Sequence, residues 1–236
     1  MNNKPFHFKH FSMMHNHSTM RIGTDAVLLG RWVDVGQSDR VLDVGTGCGV
    51  IAMMLAQRGA LCVDAIDLDE NSAQEADLNF RTSQWSDRLN AYNADVRTFD
   101  KRVRYDLIVS NPPFFVNSSK CDAERRSMAR HAGVTLSFSD LFVSAKRLLV
   151  EDGRLAVVLP QREEHNFVAE ALRHGFYLSR KLDIVPVAGL APNRVNLELV
   201  QSPSEFQNVD NLVLRDADGA LSDAYNTFLK DFYLGL

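Results

Sequence analysis

Residues 110–115, SNPPFF, combine groups that could hold a planar amino group for chemistry. Asn111 offers its side-chain carbonyl oxygen and Pro112 its backbone carbonyl, so two acceptors could take the two hydrogens of an NH₂ group. The rings of Pro112 and Pro113 restrict the backbone and would fix the geometry of these acceptors. Phe114 offers an aromatic face on which an unstacked nucleic-acid base could lie. A proline-rich turn that merely ends a buried strand is the structural alternative.

Residues 43–49, DVGTGCG, form a second candidate site between a predicted strand and a predicted helix. Gly45, Gly47 and Gly49 would let the backbone approach a ligand closely, although the glycines alone could equally form a tight turn without a ligand. Val50 stands where a dinucleotide fingerprint has its third glycine, and the chain has no G-x-x-x-x-G-K-[ST] sequence. The spacing therefore disfavours nicotinamide, flavin and nucleoside triphosphate sites.

Two carboxylates follow the next predicted strands. Asp67 lies 22 positions after Gly45, where an acid can accept both hydroxyl groups of a ribose. Asp95 follows the third strand, although by itself it could be a helix cap or a solvated loop residue. Acids at both strand ends favour a ligand with a ribose and an adenine amino group and disfavour a pyrophosphate.

The elements that would position these residues alternate along the chain. Strands are predicted at 40–45, 61–67, 89–95, 105–110 and 154–160, and helices at 50–58, 70–81, from Ser137 or Ser139 onward, and at 163–175. Strands separated by helices require crossovers, which predicts a Rossmann-like α/β sheet, mostly parallel, with helices on both faces. Residues 179–187 and 194–200 have no helix between them and predict a C-terminal antiparallel hairpin at the sheet edge.

Composition sets the remaining expectations. The chain has 236 residues, 45% of them hydrophobic and 24% charged, which predicts one globular domain over 1–236, with an N-terminal extension at 1–36 and a core at 37–236. We find no apolar run that could span a membrane and no signal sequence, so we expect a cytoplasmic protein. The sequence does not reveal its oligomeric state, and a monomer is our expectation. The three cysteines lack metal-ligand spacing, and the N-terminal histidines lack partner acids, so we expect no metal site.

With these motifs, residues 40–200 resemble the class I S-adenosylmethionine-dependent methyltransferases, which implies S-adenosyl-L-methionine as cofactor. The resemblance implies that Gly45, Gly47 and Gly49 shape the cofactor loop. It further implies that Asp67 binds the ribose and Asp95 the adenine, while Asp43 supports the loop and the methionine end. Thr46, Leu68, Val96 and Asn111 belong to the same implied site.

The NPPF sequence resembles the [D/N/S]-P-P-[Y/F] signature of enzymes that methylate adenine N6, guanine N2 or a glutamine amide. This resemblance implies catalytic roles for Asn111, Pro112, Pro113 and Phe114. The amine of adenine is a poor nucleophile because its lone pair is delocalised into the ring. Two acceptors on its hydrogens would return electron density to the nitrogen and align it for methyl transfer.

Residues 6–11, 21–32, 125–132 and 228–234 resemble the bacterial tRNA(Val) adenine-N6 methyltransferases, which modify the adenine immediately 3′ of the anticodon. One departure is that Phe114 stands where tyrosine is common. The resemblance implies that Gly23, Thr24 and Asp25 close over the methionine part of the cofactor, although Thr24 or Asp25 could simply cap a helix.

The same resemblance predicts an RNA-binding set that consists of Lys4, Lys9, Arg21, Arg125, Arg126, Arg130 and His131. Basic residues of this kind bind phosphates, although residues 125–131 could be a solvated helix face and residues 4–11 an amphipathic edge strand. The net charge of −4 disfavours a protein that coats nucleic acid indiscriminately but leaves room for local basic surfaces.

Three alternatives to a tRNA enzyme remain open. Enzymes that methylate a glutamine amide in a translation factor normally carry a helical N-terminal domain. Some forty residues precede the glycine loop here, which are too few for such a domain. An amino group of rRNA adenine or guanine presents the same chemistry. A cofactor-binding subunit without activity is the alternative outside enzymes, and the intact NPPF sequence disfavours it.

Overall fold

The computed structural model describes residues 4–19, 21–36, 39–112, 136–203 and 208–235. Its strands are β1 (Phe6–His7), β2 (Ser12–Met13), β3 (Arg40–Val44), β4 (Cys62–Asp67), β5 (Leu89–Asn93), β6 (Tyr105–Ser110), β7 (Leu149–Pro160), β8 (Tyr177–Val185), β9 (Arg194–Val200) and β10 (Asn208–Val213). Its α-helices are α1 (Thr24–Trp32), α2 (Val50–Gln57), α3 (Glu70–Arg81), α4 (Phe138–Leu148), α5 (Glu164–Arg173) and α6 (Asp223–Leu229). Each predicted strand and helix is present. However, β5 ends two residues earlier than expected, and β7 begins at Leu149, before the predicted start at residue 154.

The described strands after β2 form one sheet in the order β10-β8-β9-β7-β6-β3-β4-β5. Every neighbouring pair is parallel except the two that involve β9, which is antiparallel to both β7 and β8. This confirms the mostly parallel α/β sheet with a C-terminal antiparallel hairpin. The predicted edge position of the hairpin is wrong, because β10 pairs with β8 and is itself the edge strand.

The sequence of β10, NVDNLV, did not predict a strand because it lacks a continuous apolar run. Only one face of an edge strand needs to meet the core. Leu212 provides that contact and is buried, whereas Val209 is 50% exposed. The strand is therefore specified by its partner in the sheet and not by its own hydrophobic pattern.

Apolar side chains cover both faces of the sheet. One cluster includes Val27, Leu28 and Leu29 of α1 together with nearly the whole of α2, and the other includes Leu141 and Phe142 of α4. Ser137 caps α4 through a reciprocal pair of hydrogen bonds with Asp140, as the sequence predicted for Ser137 or Ser139. Within the described ranges, no helix is long and apolar enough to cross a membrane.

The N-terminal residues run along the outside of α3. The β1–β2 hairpin lies at the C-terminal end of this helix, where the Phe11 and Trp85 rings are 5.8 Å apart between centroids and Gln84 Nε2 donates to the His10 carbonyl at 3.2 Å. Residues 14–19, which we call the strap, then follow α3 back toward its N-terminus. Because α3 begins beyond the carboxyl end of β4, the strap leads from the amino ends of the strands to their carboxyl ends.

Candidate functional site

A cavity of about 360 Å³ lies at the carboxyl ends of β3, β4, β5 and β6. The described residues that line it are Thr19, Val44, Gly45, Gly47, Ile66, Asp67, Leu68, Asp69, Ala94, Asp95, Val96, Arg97, Asn111 and Leu136. Parallel sheets bind ligands at this edge because strand ends and loops converge there. The volume is in the range of small-molecule sites.

Asn111 is held at this edge by the register of two central strands. Ser110 pairs with Val44, and the buried Ser110 hydroxyl donates to the Val44 carbonyl at 2.8 Å. Asn111 therefore follows β6 beside Gly45, the first residue after β3. Its Oδ1 atom is buried and has no hydrogen-bond partner among the described residues. A buried carbonyl without a donor is costly, which favours a ligand that brings an N–H group to it.

The glycine loop is folded tightly between the ends of β3 and β4. Gly45 N and Thr46 N both donate to the Ile66 carbonyl, at 2.9 and 3.1 Å. The φ angles of Gly45, Gly47 and Gly49 are +72°, +56° and +90°, a region that side chains with a Cβ rarely adopt. The chain can therefore turn from strand to helix and leave the loop backbone facing the cavity.

Asp67 joins the glycine loop to the end of β4. Its Oδ2 accepts from Gly47 N and its Oδ1 from Asp69 N, both at 2.9 Å. Burial raises the pKa of the Asp67 carboxyl above its ordinary value, and these backbone N–H groups act in the opposite direction. Each carboxylate oxygen keeps a further lone pair, so Asp67 can still accept from hydroxyl groups in the cavity.

Asp43 lies beneath the loop and is fully buried. The Thr46 hydroxyl donates to Asp43 Oδ2 at 2.7 Å, whereas Asp43 Oδ1 has no hydrogen-bond partner among the described residues. Burial raises the pKa of this carboxyl to about 7, and the Thr46 hydrogen bond opposes the rise. Asp43 Oδ1 is thus left as a buried acceptor beneath the glycine loop.

Asp95 lines the cavity with its carboxylate bound by Arg97. Arg97 Nε lies 2.9 Å from both oxygens of this carboxylate, and the Arg97 guanidinium holds the pKa of Asp95 below its ordinary value. Residues 96–98 form a turn after Asp95, and Arg147 of α4 holds this part of the chain by donating to the carbonyls of Val96 and Phe99, at 2.8 and 2.6 Å. Asp95 is therefore a charged, oriented acceptor, and it is not the helix cap that its sequence position also allowed.

Gly23, Thr24 and Asp25 are not among the described residues that line the cavity. Gly23 is the N-cap of α1 without any side-chain capping bond, so the alternative in which Thr24 or Asp25 caps this helix is wrong. The Asp25 carboxylate instead accepts from Arg194 Nε of β9 at 2.9 Å. Closure of these residues over the cofactor stays a prediction.

The predicted RNA-binding residues that the structure describes are spread over two places. Lys9 lies in the hairpin at the C-terminal end of α3, where its ammonium donates to the Lys230 carbonyl, and exposed Lys4 precedes the same hairpin. This is the opposite end of the sheet from Asn111. Exposed Arg21 precedes α1, nearer to the cavity. Pro113, Phe114, Arg125, Arg126, Arg130 and His131 lie outside the described residues, and their roles stay predictions.

Two kinds of residue in this site were not predicted from the sequence. Thr19, Ala94 and Arg97 line the cavity but carry no motif of their own. A second layer, Arg147 and the polar side chains of α3, holds the cavity walls from outside. The spacing of polar residues in α3 could have predicted this supporting role. Ser72, Glu75 and Asn79 form a polar stripe at i, i+3 and i+7. This stripe lies beside the apolar stripe of Ala73, Ala76 and Phe80.

Comparisons with known proteins agree with this architecture. A solved structure of a predicted O-methyltransferase from Agrobacterium tumefaciens superimposes with a TM-score of 0.64 at 16% identity, covering 88% of this chain and 96% of that one. The ribosomal protein L11 methylase of Lactobacillus delbrueckii subsp. bulgaricus gives a TM-score of 0.53 at 19% identity, covering 75% and 78%. Similarity at these identities shows a shared fold.

Sequence comparison is more specific. The family described as "Methyltransferase small domain" matches residues 6–181. A tRNA1(Val) (adenine(37)-N6)-methyltransferase from Trichodesmium erythraeum is 39% identical over 239 residues, covering 99% of both chains. A protein of the same name from Parabacteroides distasonis is 37% identical over 236 residues, again covering 99% of both. The chain therefore belongs to the methyltransferase small domain family and, within it, to the tRNA1(Val) (adenine(37)-N6)-methyltransferases.

Proposed function

We propose that this protein transfers a methyl group from S-adenosyl-L-methionine to the N6 amino group of an adenine in tRNA, at the position next to the anticodon of tRNA(Val). Relatives that match nearly the full chain carry this activity in their names. A tRNA substrate also agrees with the cytoplasmic location expected from the sequence.

The residues around the cavity fit this cofactor. Gly45 and Gly47 present backbone to the cavity, while Asp67 and Asp95 supply acceptors suited to ribose hydroxyls and to the adenine amino group. Asp43 has an unsatisfied buried oxygen beneath the same loop, which suits a positively charged donor such as the methionine ammonium. No cluster of basic side chains on the described walls would serve a pyrophosphate, since Arg97 is bound to Asp95.

The observation that carries the proposal is the buried Asn111 Oδ1 without a partner, on the wall that also contains Asp67 and Gly45. When bound, S-adenosyl-L-methionine would supply an electrophilic methyl group. The bond between its sulfur and that methyl would break as the bond to N6 forms, so that S-adenosyl-L-homocysteine is left and N6 releases one proton to solvent. Asn111 accepts one N–H of the amine and thereby fixes its orientation. Pro112 is the next residue and is buried. Its ring restricts the backbone whose carbonyl would be the second acceptor.

The experiment that tests this function supplies labelled S-adenosyl-L-methionine together with separate pools of tRNA, rRNA and protein. We expect N6-methyladenosine in tRNA(Val), identified by mass spectrometry of the nucleosides. Label only in protein would transfer the activity to the glutamine amide class, and label only in rRNA would transfer it to ribosomal RNA. Label in none of the pools would contradict the proposal.

Asn111→Ala separates the role of this side chain from cofactor binding. We expect a loss in kcat of at least about a hundredfold, because the variant removes one oriented acceptor that acts on the reacting amine. The dissociation constant for S-adenosyl-L-methionine should change by less than about threefold, since Asp67 and the glycine loop are untouched. A loss confined to cofactor binding would show that Asn111 holds the cofactor and not the amine.

A further inference from the structure

The backbone amides of the strap, residues 14–19, donate to side chains of α3. Three residues of α3 provide the partners, each on the polar stripe described above. The contacts are Met14 N to Asn79 Oδ1 at 2.8 Å, Asn16 N and His17 N to Glu75 Oε1 at 2.7 and 3.1 Å, Ser18 N to Glu75 Oε2 at 2.8 Å, and Thr19 N to Ser72 Oγ at 3.1 Å. Five strap amides therefore donate to side chains of one helix.

Glu75 is the centre of this arrangement. It is only 4% exposed, and within the described part of the chain its carboxylate accepts from backbone N–H groups without an ion pair to a basic side chain. Burial by itself would raise the pKa of Glu75, but the N–H groups of His17, Ser18 and Asn16 outweigh burial and lower it. The carboxylate thus stays charged inside the protein because three consecutive backbone amides of the strap surround it.

Besides these amides, the Thr19 hydroxyl of the strap lies 3.5 Å from Ser72 Oγ, and the His15 ring of the strap contacts the Phe6 ring. None of its six residues is buried, so apolar packing contributes little to its position. Fixing the backbone of a residue in one conformation has a substantial entropic cost, which hydrogen bonds to a charged group can offset. The position of the strap therefore depends on Glu75 and its neighbours on α3.

The same side chains connect the strap to the cofactor cavity. Asn79 Nδ2 donates both to the Met14 carbonyl at 2.9 Å and to the carbonyl of Cys48 in the glycine loop at 2.8 Å. Ser72 Oγ donates to Asp69 Oδ2 at 2.8 Å, and both Asp69 and Thr19 line the cavity. The stripe on α3 thus joins the strap, the glycine loop and the end of β4, which are three parts of one cavity wall.

We propose that Glu75 is a positioning residue for cofactor binding, which acts with Ser72 and Asn79 to hold the strap as a preformed wall of the cavity before the cofactor arrives. The inference rests on the proposed function, because it concerns the cofactor of that reaction. When this wall is not preformed, part of the binding free energy is used to order it, and affinity falls.

Glu75→Gln tests the proposal with a minimal change of shape. The amide keeps one acceptor oxygen, but its NH₂ group opposes the N–H donors of the strap. We expect the dissociation constant for S-adenosyl-L-methionine, measured by calorimetry, to rise by about tenfold to a hundredfold, which corresponds to about 1.4–2.8 kcal/mol. The kcat at saturating cofactor should stay within about twofold, because Glu75 does not touch the reacting amine.

The matched control is Asp77→Asn, the same chemical change on the same helix. The Asp77 carboxylate is 40% exposed and pairs with Arg81, one helical turn away. This variant should bind the cofactor as the wild type does. A second readout is hydrogen exchange in the cofactor-free protein, where the amides of residues 16–18 should exchange faster in Glu75→Gln than in Asp77→Asn.

The outcomes separate this inference from the proposed function. Wild-type protein that binds no cofactor or methylates no tRNA would refute the function itself. Active wild type together with a folded Glu75→Gln that binds cofactor normally, or that exchanges residues 16–18 normally, would overturn the inference. If Glu75→Gln does not fold, Ser72→Ala removes both the acceptor for Thr19 N and the hydrogen bond from Ser72 Oγ to Asp69 Oδ2, and an unchanged affinity in that variant would overturn the inference equally.

Discussion

The tight contact between the glycine loop and α3 yields a prediction whose magnitude follows from the structure. Gly49 has φ +90°, and a Cβ added there would lie 2.5 Å from Phe80 Cε1, 2.8 Å from Phe80 Cζ and 3.3 Å from Ala76 Cβ. Phe80 is 1% exposed, so its ring cannot swing into solvent. Gly49→Ala therefore imposes both a strained backbone and a steric overlap in the core.

The two contributions can be estimated separately. A residue with a Cβ in the left-handed region costs about 1–2 kcal/mol, and overpacking a core costs about 1–3 kcal/mol. We therefore expect Gly49→Ala to lower the free energy of unfolding by about 2–5 kcal/mol, a large fraction of the 5–15 kcal/mol typical of natural domains. Urea titration followed by circular dichroism measures this quantity, and an unchanged slope of free energy against urea would show that two-state unfolding is retained.

Gly219→Ala is the control that isolates the backbone contribution. Gly219 has φ +88°, close to that of Gly49, but a Cβ there would meet nothing within 4 Å. This variant should lose only about 1–2 kcal/mol. Equal losses in the two variants would refute the steric argument. A further check is Phe80→Leu combined with Gly49→Ala, where the smaller side chain should recover part of the loss relative to the sum of the single variants.

Two further predictions concern the buried carboxylates of the site. Burial raises the pKa of Asp43 from 3.8 to about 7, so between these pH values the folded cofactor-free protein retains a proton that the unfolded chain loses. The free energy of unfolding should therefore fall as pH rises from about 4 to about 7. At 1.36 kcal/mol per pH unit, the decrease is at most about 4 kcal/mol. Asp43→Asn resembles the protonated acid, so urea titrations should find the variant close to wild type at about pH 4, where the unfolded wild type is only partly ionised, and more stable than wild type at pH 8, whereas the same difference at both values would contradict a shifted pKa. For Asp67→Asn, calorimetry should find a dissociation constant for S-adenosyl-L-methionine that is about tenfold higher or more. The variant loses a charged acceptor and can turn an NH₂ group toward Gly47 N. An unchanged dissociation constant would show that Asp67 does not bind the cofactor.

The order of the elements and the main site residues could be predicted from the sequence because their signals are local. Apolar runs such as 40–44 and 105–110 identify buried parallel strands, and Gly45, Gly47 and Gly49 mark a turn that needs positive φ angles. Parallel strands bring their carboxyl ends to one edge of the sheet, so the sequence alone predicts that Asp67 and Asn111 lie in one cavity. Both residues line the cavity in the structure.

Tertiary structure alone decided which polar groups lack a partner and which hold the walls in place. The buried state of Asn111 Oδ1 depends on the pairing of β6 with β3, and the pairing of Asp25 with Arg194 joins residues 169 positions apart. Nothing in the sequence distinguishes Glu75 from other helical glutamates. Its role depends on the strap, which lies some 57 to 59 positions away in sequence and contacts Glu75 only in the folded chain. Local patterns specify helices and strands because propensity and periodicity act over a few residues, whereas hydrogen bonds between distant segments exist only once the chain has packed.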